Sequence, residues 1–423
     1  MQTQKNQSLI DNSDTRHWKL NLAMMWFSQL MVMTGYCAMM PFIPLLFKTQ
    51  MGIESESECG LYVSYFNIAG TLAYTIFIPI WGFLSDRFGV KIMLLRGTFG
   101  TALIFPIMGY VGDPWVLIAL RFVTAACAGT TAASQALIVK NTPDDKIGFA
   151  LGIFSTAFWS GATMGYVAGG LMVDLLGYKS TFIFCGLLYF IGGISVLFAH
   201  EDCKPAPAKK AVVSRKKSGN YLTNLIPAVT IVAWIMLILF FCNGFVRNFE
   251  APYHAMLVEK IVGTEKAAFW TGIISAFAAV GAMASGALFG YLADKVKPEK
   301  LLIPALLVTA FTLVVQGAAT TLLAFGISKT IMMLAGGGIQ PIIQKALTNV
   351  TPKRKRGAVF GLSSTFNGVG IIVASFAAGG VIYYFNTRVV FYVSAILTLL
   401  LIPFSVMLLK KVYKSPFYRH NDK

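Results

Sequence analysis

Long apolar runs separated by short polar segments fill the sequence from one end to the other. Most runs reach about 18 residues or more, the length that a helix needs to cross the hydrocarbon core of a bilayer. The pattern predicts an all-α membrane protein with twelve transmembrane helices. We number these spans in chain order. They are expected to begin near Leu20, Gly60, Ile92, Trp115, Ile147, Ser180, Leu222, Ala267, Leu301, Phe325, Gly357 and Val389.

A polar segment near the middle of the chain interrupts this pattern. It contains two prolines and a run of lysines and arginines, and it divides the spans into two six-helix bundles. The predicted domains are a cytoplasmic N-terminal tail (1–19), an N-terminal bundle (20–199), a cytoplasmic central linker (200–221), a C-terminal bundle (222–411) and a cytoplasmic C-terminal tail (412–423).

The composition supports a membrane protein, since 56% of the residues are apolar and only 13% are charged. A soluble domain carries about twice that charged share. The net charge of +17 would suit a nucleic-acid partner, but lysine and arginine are concentrated in alternate segments between the spans. By the positive-inside rule, the basic segments and both termini lie in the cytoplasm. We therefore predict no nucleic-acid partner.

The two halves are related by an offset of about 208 residues. Residues in equivalent positions include Gly35 and Gly244, Pro44 and Pro252, Gly82 and Gly290, Asp86 and Asp294, Arg121 and Lys329, and Gln135 and Gln344. Because each copy contains six spans, both copies enter the membrane in the same direction. This is a parallel repeat about an axis along the membrane normal.

The segment between spans 2 and 3 carries the clearest motif, Gly82-Phe-Leu-Ser-Asp86-Arg87-Phe-Gly89-Val-Lys91, and its degenerate copy contains Asp294. Glycine permits close helix approach or a tight turn, and Asp86 could meet a helix N-terminus. The alternative is an ordinary basic turn. The motif resembles the loop between helices 2 and 3 of major facilitator superfamily transporters. The resemblance implies two bundles with a substrate site between them, and a gating role for Gly82, Asp86, Arg87, Gly89, Lys91 and Asp294.

Two further motifs resemble the twelve-helix bacterial drug:proton antiporter branch of that family. Gly35-x5-Pro41-Phe-Ile-Pro44 predicts a kink in span 1, although prolines are also common in membrane helices. Gly161, Gly165, Gly169 and Gly170 are expected to pack span 5 closely, against span 8, and to act in gating. Tyr166 stands where the branch has a proline, which weakens the assignment to export.

Ionisable residues inside the spans are rare, and span 7 has the most. Arg247, Glu250 and His254 share a face at helical spacing, and Glu250 is the one acid predicted well inside a span. A carboxyl group removed from water binds a proton more readily. Our hypothesis is that Glu250 carries the proton, with Arg247 or Arg121 competing for its anionic form. The alternative is a static Arg247–Glu250 pair near the outer mouth.

Other polar and aromatic residues in the spans are predicted to bind substrate, or alternatively to join helices by hydrogen bonds. Arg121 and Lys329 could contact an anionic substrate group or extend toward the membrane surface. The predicted substrate-binding set is Gln29, Tyr36, Asn67, Arg121, Phe158, Asn243, Lys329, Gln340, Gln344 and Asn367.

The sequence contains no enzyme motif that we recognise, and we predict no cofactor, metal or disulfide. We expect a monomeric secondary active transporter in the bacterial cytoplasmic (inner) membrane, with a proton, a small-molecule substrate and lipid as partners. The first interpretation is proton-coupled efflux of small amphipathic compounds. The alternative is uptake of a metabolite, amino acid or siderophore by proton symport or facilitated diffusion. A third is a receptor that does not transport.

Overall fold

The computed structural model describes residues 18–143, 146–201, 231–295, 298–351 and 356–413, and regular structure in these ranges is helical. The helices are α1 (Trp18–Cys37), α2 (Ile43–Thr49), α3 (Glu56–Phe88), α4 (Val90–Met108), α5 (Pro114–Cys127), α6 (Thr130–Asn141), α7 (Ile147–Leu197), α8 (Ile231–Arg247), α9 (His254–Val262), α10 (Ala267–Lys295), α11 (Pro298–Ala318), α12 (Leu322–Gly336), α13 (Ile339–Val350), α14 (Arg356–Tyr384) and α15 (Thr387–Tyr413).

The predicted spans are found as apolar helices. Ten helical segments in the described ranges are long and apolar enough to cross a membrane, and α12 is a shorter apolar helix. Helix α7 contains both span 5 and span 6. The two spans meet at Gly177, which adopts a positive φ of 77° and interrupts the helical conformation. The all-α membrane fold is therefore confirmed. The predicted start of span 7 and most of the central linker lie outside the described residues.

Spans 1 and 7 are interrupted at equivalent places. After α1, the residues Met40–Phe42 form a 3₁₀ turn that contains Pro41, and α2 follows. After α8, the residues Ala251–Tyr253 form a second such turn that contains Pro252, and α9 follows. Proline removes a backbone N–H and favours such breaks. Arg247, Glu250 and His254 therefore do not share one continuous helical face, and that expectation is wrong.

Spans 4 and 10 are also interrupted at equivalent places. Gly129 separates α5 from α6 with a φ of 113°, a conformation that glycine adopts without strain. In span 10, α12 ends at Gly336 and α13 begins at Ile339, so the run of three glycines there interrupts the helix. They do pack closely, because a Cβ on Gly338 would overlap the side chain of Phe289 in α10.

The described residues fall into two compact units. The first contains residues 18–41 and 73–201, and the second contains residues 42–72 together with the described residues from 231 onward. Residues 42–72, from the N-terminal half of the sequence, thus pack with helices of the C-terminal half. The predicted boundary between the bundles lies largely in residues outside the described ranges.

Glycine faces hold the central helices of each unit together. In the first unit, a Cβ on Gly161 would lie 2.7 Å from the carbonyl oxygen of Leu30, and one on Gly165 would lie 2.5 Å from that of Thr34. These glycines therefore pack span 5 on α1, and the expected packing on span 8 is wrong for this face. In the second unit, Gly370 of α14 packs on α8 in the same way.

Candidate transport site

A buried ion pair lies at the centre of the second unit. The Nζ of Lys329 lies 2.9 Å from each carboxylate oxygen of Glu250 and donates hydrogen bonds to both. The two residues are 4% and 2% exposed, so water reaches neither side chain freely. A pair removed from water in this way is costly to assemble and very costly to break by removing one partner.

Helix breaks and caps hold the two members of this pair. Glu250 lies in the turn after α8, directly before the 3₁₀ turn that Pro252 begins. Lys329 lies within α12, whose first turn is capped by Thr321, which accepts a hydrogen bond from the N–H of Ala324. Sequence analysis chose Arg247 or Arg121 as the partner of Glu250. In the structure the partner of Glu250 is Lys329. Sequence analysis had noted Lys329 only as the residue equivalent to Arg121 in the repeat.

The surroundings of Glu250 are cationic overall. Arg247 and Asn243 line the same cavity as Glu250, which has a volume of about 50 Å³. Both ring nitrogens of His254 form hydrogen bonds. Nδ1 lies 2.7 Å from the carbonyl oxygen of Ala251, and Nε2 lies 3.3 Å from the hydroxyl of Ser275. Lys329 and Arg247 thus place two cations around one carboxylate. Ionisable groups at such depth in a membrane protein are functional candidates.

The first unit contains a separate polar and aromatic cluster around Arg121. The guanidinium of Arg121 donates a hydrogen bond of 3.1 Å to the hydroxyl of Tyr36. Tyr36, Phe158 and Tyr166 pack against buried residues of α1 and α7, including Cys37. Tyr166, at the position of the missing proline, thus fills space beside α1. The cluster could offer a cation and aromatic surfaces to a substrate.

The remaining predicted substrate residues have local roles. Gln29 is buried and accepts a hydrogen bond of 3.2 Å from Thr131, which joins α1 to α6. Asn67 donates to the carbonyl oxygen of Val63 in its own helix. Asn367 packs against Gly244, and so joins α14 to α8. Gln340 and Gln344 have exposed side chains on α13. Gln29 thus joins two helices by a hydrogen bond, which is the alternative interpretation of these polar residues.

The motif between spans 2 and 3 is largely helical. Helix α3 continues to Phe88 and α4 begins at Val90, so Gly89 is the one connecting residue, with a φ of 92°. The prediction of a loop from Gly82 onward is therefore wrong. No described atom lies within 4 Å of the position that a Cβ on Gly82 would take. The side chains of Asp86 and Asp294 lie outside the described ones, and Arg87 is exposed against the ring of Phe88.

An anion does meet the N-terminus of α4, but it belongs to Glu201. The backbone N–H groups of Val90 and Lys91 donate to its carboxylate at 3.0 and 2.7 Å. The Nζ of Lys91 donates to the carbonyl oxygens of Leu197 and Ala199. A carboxylate is favoured at this end of a helix. Sequence analysis missed Glu201 because its partners lie more than a hundred residues earlier in the chain.

Arg96 is a second residue that sequence analysis missed. It lies inside α4 with its guanidinium 3.6 Å from the ring centre of Trp81. The indole N–H of Trp81 donates to the carbonyl oxygen of Ala126. The sequence did contain a signal that Arg96 lies within a span, because Arg96 follows the predicted start of span 3 by four residues.

Comparisons with known proteins identify the family. A sequence profile of the Major Facilitator Superfamily matches residues 25–315 and again residues 268–421. The chain belongs to the major facilitator superfamily. It is therefore a multi-pass membrane protein, and the resemblance inferred from the motif after span 2 is confirmed.

Relatives in this superfamily include multidrug resistance proteins. The chain is 29% identical to the multidrug resistance protein MdtG of Klebsiella pneumoniae (strain 342) over 90% of this chain and 91% of that protein. It is 28% identical to MdtG of Rahnella sp. (strain Y9602), over 91% and 92%. Both relatives are matched along nearly their whole length.

Solved structures of superfamily members share the fold at low identity. The POT family transporter PepTSo aligns with a TM-score of 0.72 at 13% identity, over 93% of this chain and 98% of that chain. A D-xylose-proton symporter aligns with a TM-score of 0.71 at 15% identity, over 90% and 96%. These likenesses support the fold and do not extend to the substrate.

Proposed function

We propose that the protein is a secondary active transporter of the bacterial cytoplasmic membrane that exports small amphipathic organic compounds in exchange for protons. It works by alternating access as a monomer, with both termini in the cytoplasm. The observation that carries the proposal is the buried Glu250–Lys329 pair, because it couples a protonation event to the packing of two membrane helices. The multidrug resistance relatives support export as the direction.

The proton acts through the charge of this pair. When Glu250 is ionised, its carboxylate holds Lys329 and thereby ties the end of α8 to α12. When Glu250 takes up a proton, the attraction ends and Lys329 is left as an unpaired buried ammonium. An uncompensated buried charge is strongly unfavourable, so the helices rearrange until it is solvated or paired. Binding and release of one proton thus favour different conformations.

The charge around Glu250 indicates the class of substrate. Arg247 and Lys329 outnumber the carboxylate, so a second permanent cation would be repelled. We therefore expect neutral amphipathic compounds, or compounds with one acidic group. Arg121 and the aromatic residues beside it, Tyr36 and Phe158, are proposed to contact them.

A second candidate function is proton-coupled uptake of a carboxylate-bearing metabolite. The specific observation in its favour is the same excess of cations, because protonation of Glu250 frees Lys329 to pair with an incoming carboxylate. Proton and anionic substrate would then bind together, which is the requirement of a symporter. The presence of Tyr166 in place of the antiporter proline also favours this candidate.

Transport by purified protein in proteoliposomes tests both candidates. A proton gradient imposed in either direction should drive substrate opposite to the proton for export, and with the proton for uptake. In Glu250→Gln, gradient-driven transport should be lost while substrate counterflow, which needs no net proton movement, continues. The neutral glutamine resembles the protonated acid, so the pH dependence of transport should disappear.

Glu259→Gln is the matched control. Glu259 is a buried acid of the same unit that pairs with a lysine, Lys48, at 2.7 Å, but it lies outside the proposed proton site. This variant should keep gradient-driven transport. A Glu250→Gln protein that accumulates substrate at the wild-type rate with unchanged pH dependence would reject Glu250 as the proton carrier.

A further inference from the structure

A small cavity adjoins the buried ion pair inside the second unit. Its volume is about 50 Å³, and it is bordered by helices α8, α11, α12, α13 and α15. Space for one water requires about 10–15 Å³ on this measure, so the cavity has room for a short file of water molecules. We call it the chamber. Its polar lining residues are Asn243, Arg247, Glu250, Thr309, Ser394 and Thr398.

Two buried polar atoms in the chamber wall lack partners. Among the described residues, neither the side-chain oxygen of Asn243 nor the hydroxyl of Ser394 has a hydrogen-bond partner. Asn243 is 2% exposed and Ser394 is fully buried. Leaving such groups unsatisfied costs about 1–3 kcal/mol each, so native structures supply them with protein or water partners. Both atoms therefore indicate a small hydrogen-bonding occupant.

Apolar side chains form a large part of the chamber wall. Leu306, Ile339 and Leu401 line it, and all three are buried members of the apolar core of this unit. A substrate-sized molecule does not fit in this volume. Water does, and water can both donate to Asn243 and exchange hydrogen bonds with Ser394.

We propose that the chamber is an internal water site that relays protons to and from Glu250. This inference rests on the proposed role of Glu250 as the proton carrier. A proton passes along the water file to a carboxylate oxygen of Glu250, and Lys329 keeps its own proton and loses its partner. On release, the same proton returns to the water file and the ion pair forms again.

Other charged groups surround this exchange. Lys329 on α12 and Arg247 on α8 face Glu250, and the ring of His254 on α9 lies nearby. A proton that leaves Glu250 for the water file has to overcome only the electrostatic field of these nearby groups.

X-ray hydroxyl-radical footprinting measures the water directly, since radicals formed from an internal water oxidise the nearest side chain. Met332 lines the chamber and is 7% exposed, and Met93 in the first unit is 8% exposed and outside it. We expect Met332 to be oxidised several-fold faster than Met93, and faster than the fully buried Met256. Oxidation of Met332 no faster than that of Met93 would mean a dry chamber and would overturn the proposal.

Two substitutions connect the water to transport. Asn243→Leu keeps the side-chain volume and removes the amide, and Ser394→Ala removes the hydroxyl. Each should slow Met332 oxidation. Ser394→Ala should also lower gradient-driven transport by about a hundredfold, the low end of what proton-transfer groups contribute, while counterflow continues. Ser375→Ala is the matched control, because Ser375 is also buried with an unpartnered hydroxyl among the described residues but lies outside the chamber.

The outcomes separate the two proposals. Loss of gradient-driven transport in Glu250→Gln, together with wild-type coupling in Ser394→Ala, would leave Glu250 as the carrier and remove the water relay. Wild-type coupling in Glu250→Gln would remove the carrier itself, whatever Met332 shows. Slower coupling in Ser375→Ala than in Ser394→Ala would also contradict a role for the chamber.

Discussion

The Nζ of Lys48 lies 2.7 Å from the carboxylate of Glu259, although 211 positions separate these residues in the chain. A second pair lies beside it, since the Nζ of Lys260 is 2.6 Å from the carboxylate of Glu56. Glu56 also accepts a hydrogen bond of 2.7 Å from the backbone N–H of Thr387. These contacts fasten residues 42–72 to the other helices of the second unit.

Charge reversal at Lys48 should therefore destabilise the second unit. Lys48→Glu puts two carboxylates together at a mostly buried position, and we expect a loss of about 3–5 kcal/mol, because the buried charge of Glu259 is left uncompensated. The double variant Lys48→Glu with Glu259→Lys restores opposite charges and should recover most of the loss. Thermal unfolding of detergent-solubilised protein measures both. Lys266→Glu, at an exposed lysine nearby, serves as the control, and equal losses in it and in Lys48→Glu would contradict the pairing.

The Glu250–Lys329 pair should show strong coupling in a double-mutant cycle. Lys329→Met leaves an ionised Glu250 without its partner, at a cost of about 3–5 kcal/mol. Adding Glu250→Gln removes the uncompensated charge, so the double variant should be more stable than Lys329→Met alone. Thermal unfolding gives the four stabilities. Additive losses would mean that the two side chains do not depend on each other.

Adding even one methyl group to the glycine face of α7 should destabilise the protein. Gly165→Ala would bring a Cβ to 2.5 Å from the carbonyl oxygen of Thr34, so α1 and α7 must separate. Overpacking of this kind costs about 1–3 kcal/mol. Gly152→Ala, on the same helix with no described atom within 4 Å, is the matched control and should be neutral or slightly stabilising. Equal melting temperatures for the two variants would contradict the packing described here.

Glu201 should stabilise the N-terminus of α4. Its carboxylate accepts from two backbone N–H groups, and Lys140 lies 3.3 Å away. Glu201→Ala removes this cap, and we expect a loss of about 1 kcal/mol in the free energy of unfolding. Hydrogen exchange of the Val90 and Lys91 amides should accelerate. Glu54→Gln, at an exposed acid, controls for the change of charge, and unchanged exchange in Glu201→Ala would argue against capping.

The sequence predicted the helices well because a membrane demands long apolar runs, and such runs are visible without a structure. Span 8 begins at Ala267 as expected, and the prolines in spans 1 and 7 do mark breaks. The break at Gly129 was not predicted, since nothing in the local pattern distinguishes it from other membrane glycines. Its φ of 113° explains the glycine only after the structure is known.

Partners distant in sequence were the hardest to predict. Glu250 was identified as the unusual acid, but Lys329 was found as its partner only in the structure, because helical spacing relates residues within one span. Asp86 was expected to meet a helix N-terminus, and its side chain lies outside the described ones, so that expectation stays a prediction. The carboxylate that binds at the start of α4 belongs to Glu201, which the fold brings back from the end of α7.

Helix α3 is continuous from Glu56 to Phe88, yet its residues up to Leu72 belong to the second unit and those from Ala73 onward to the first. Helix α3 therefore carries the backbone from one unit into the other without a loop. Pro79, which lies in the first unit, leaves one carbonyl of α3 without its helical N–H donor, and a proline in such a position favours a bend of the helix.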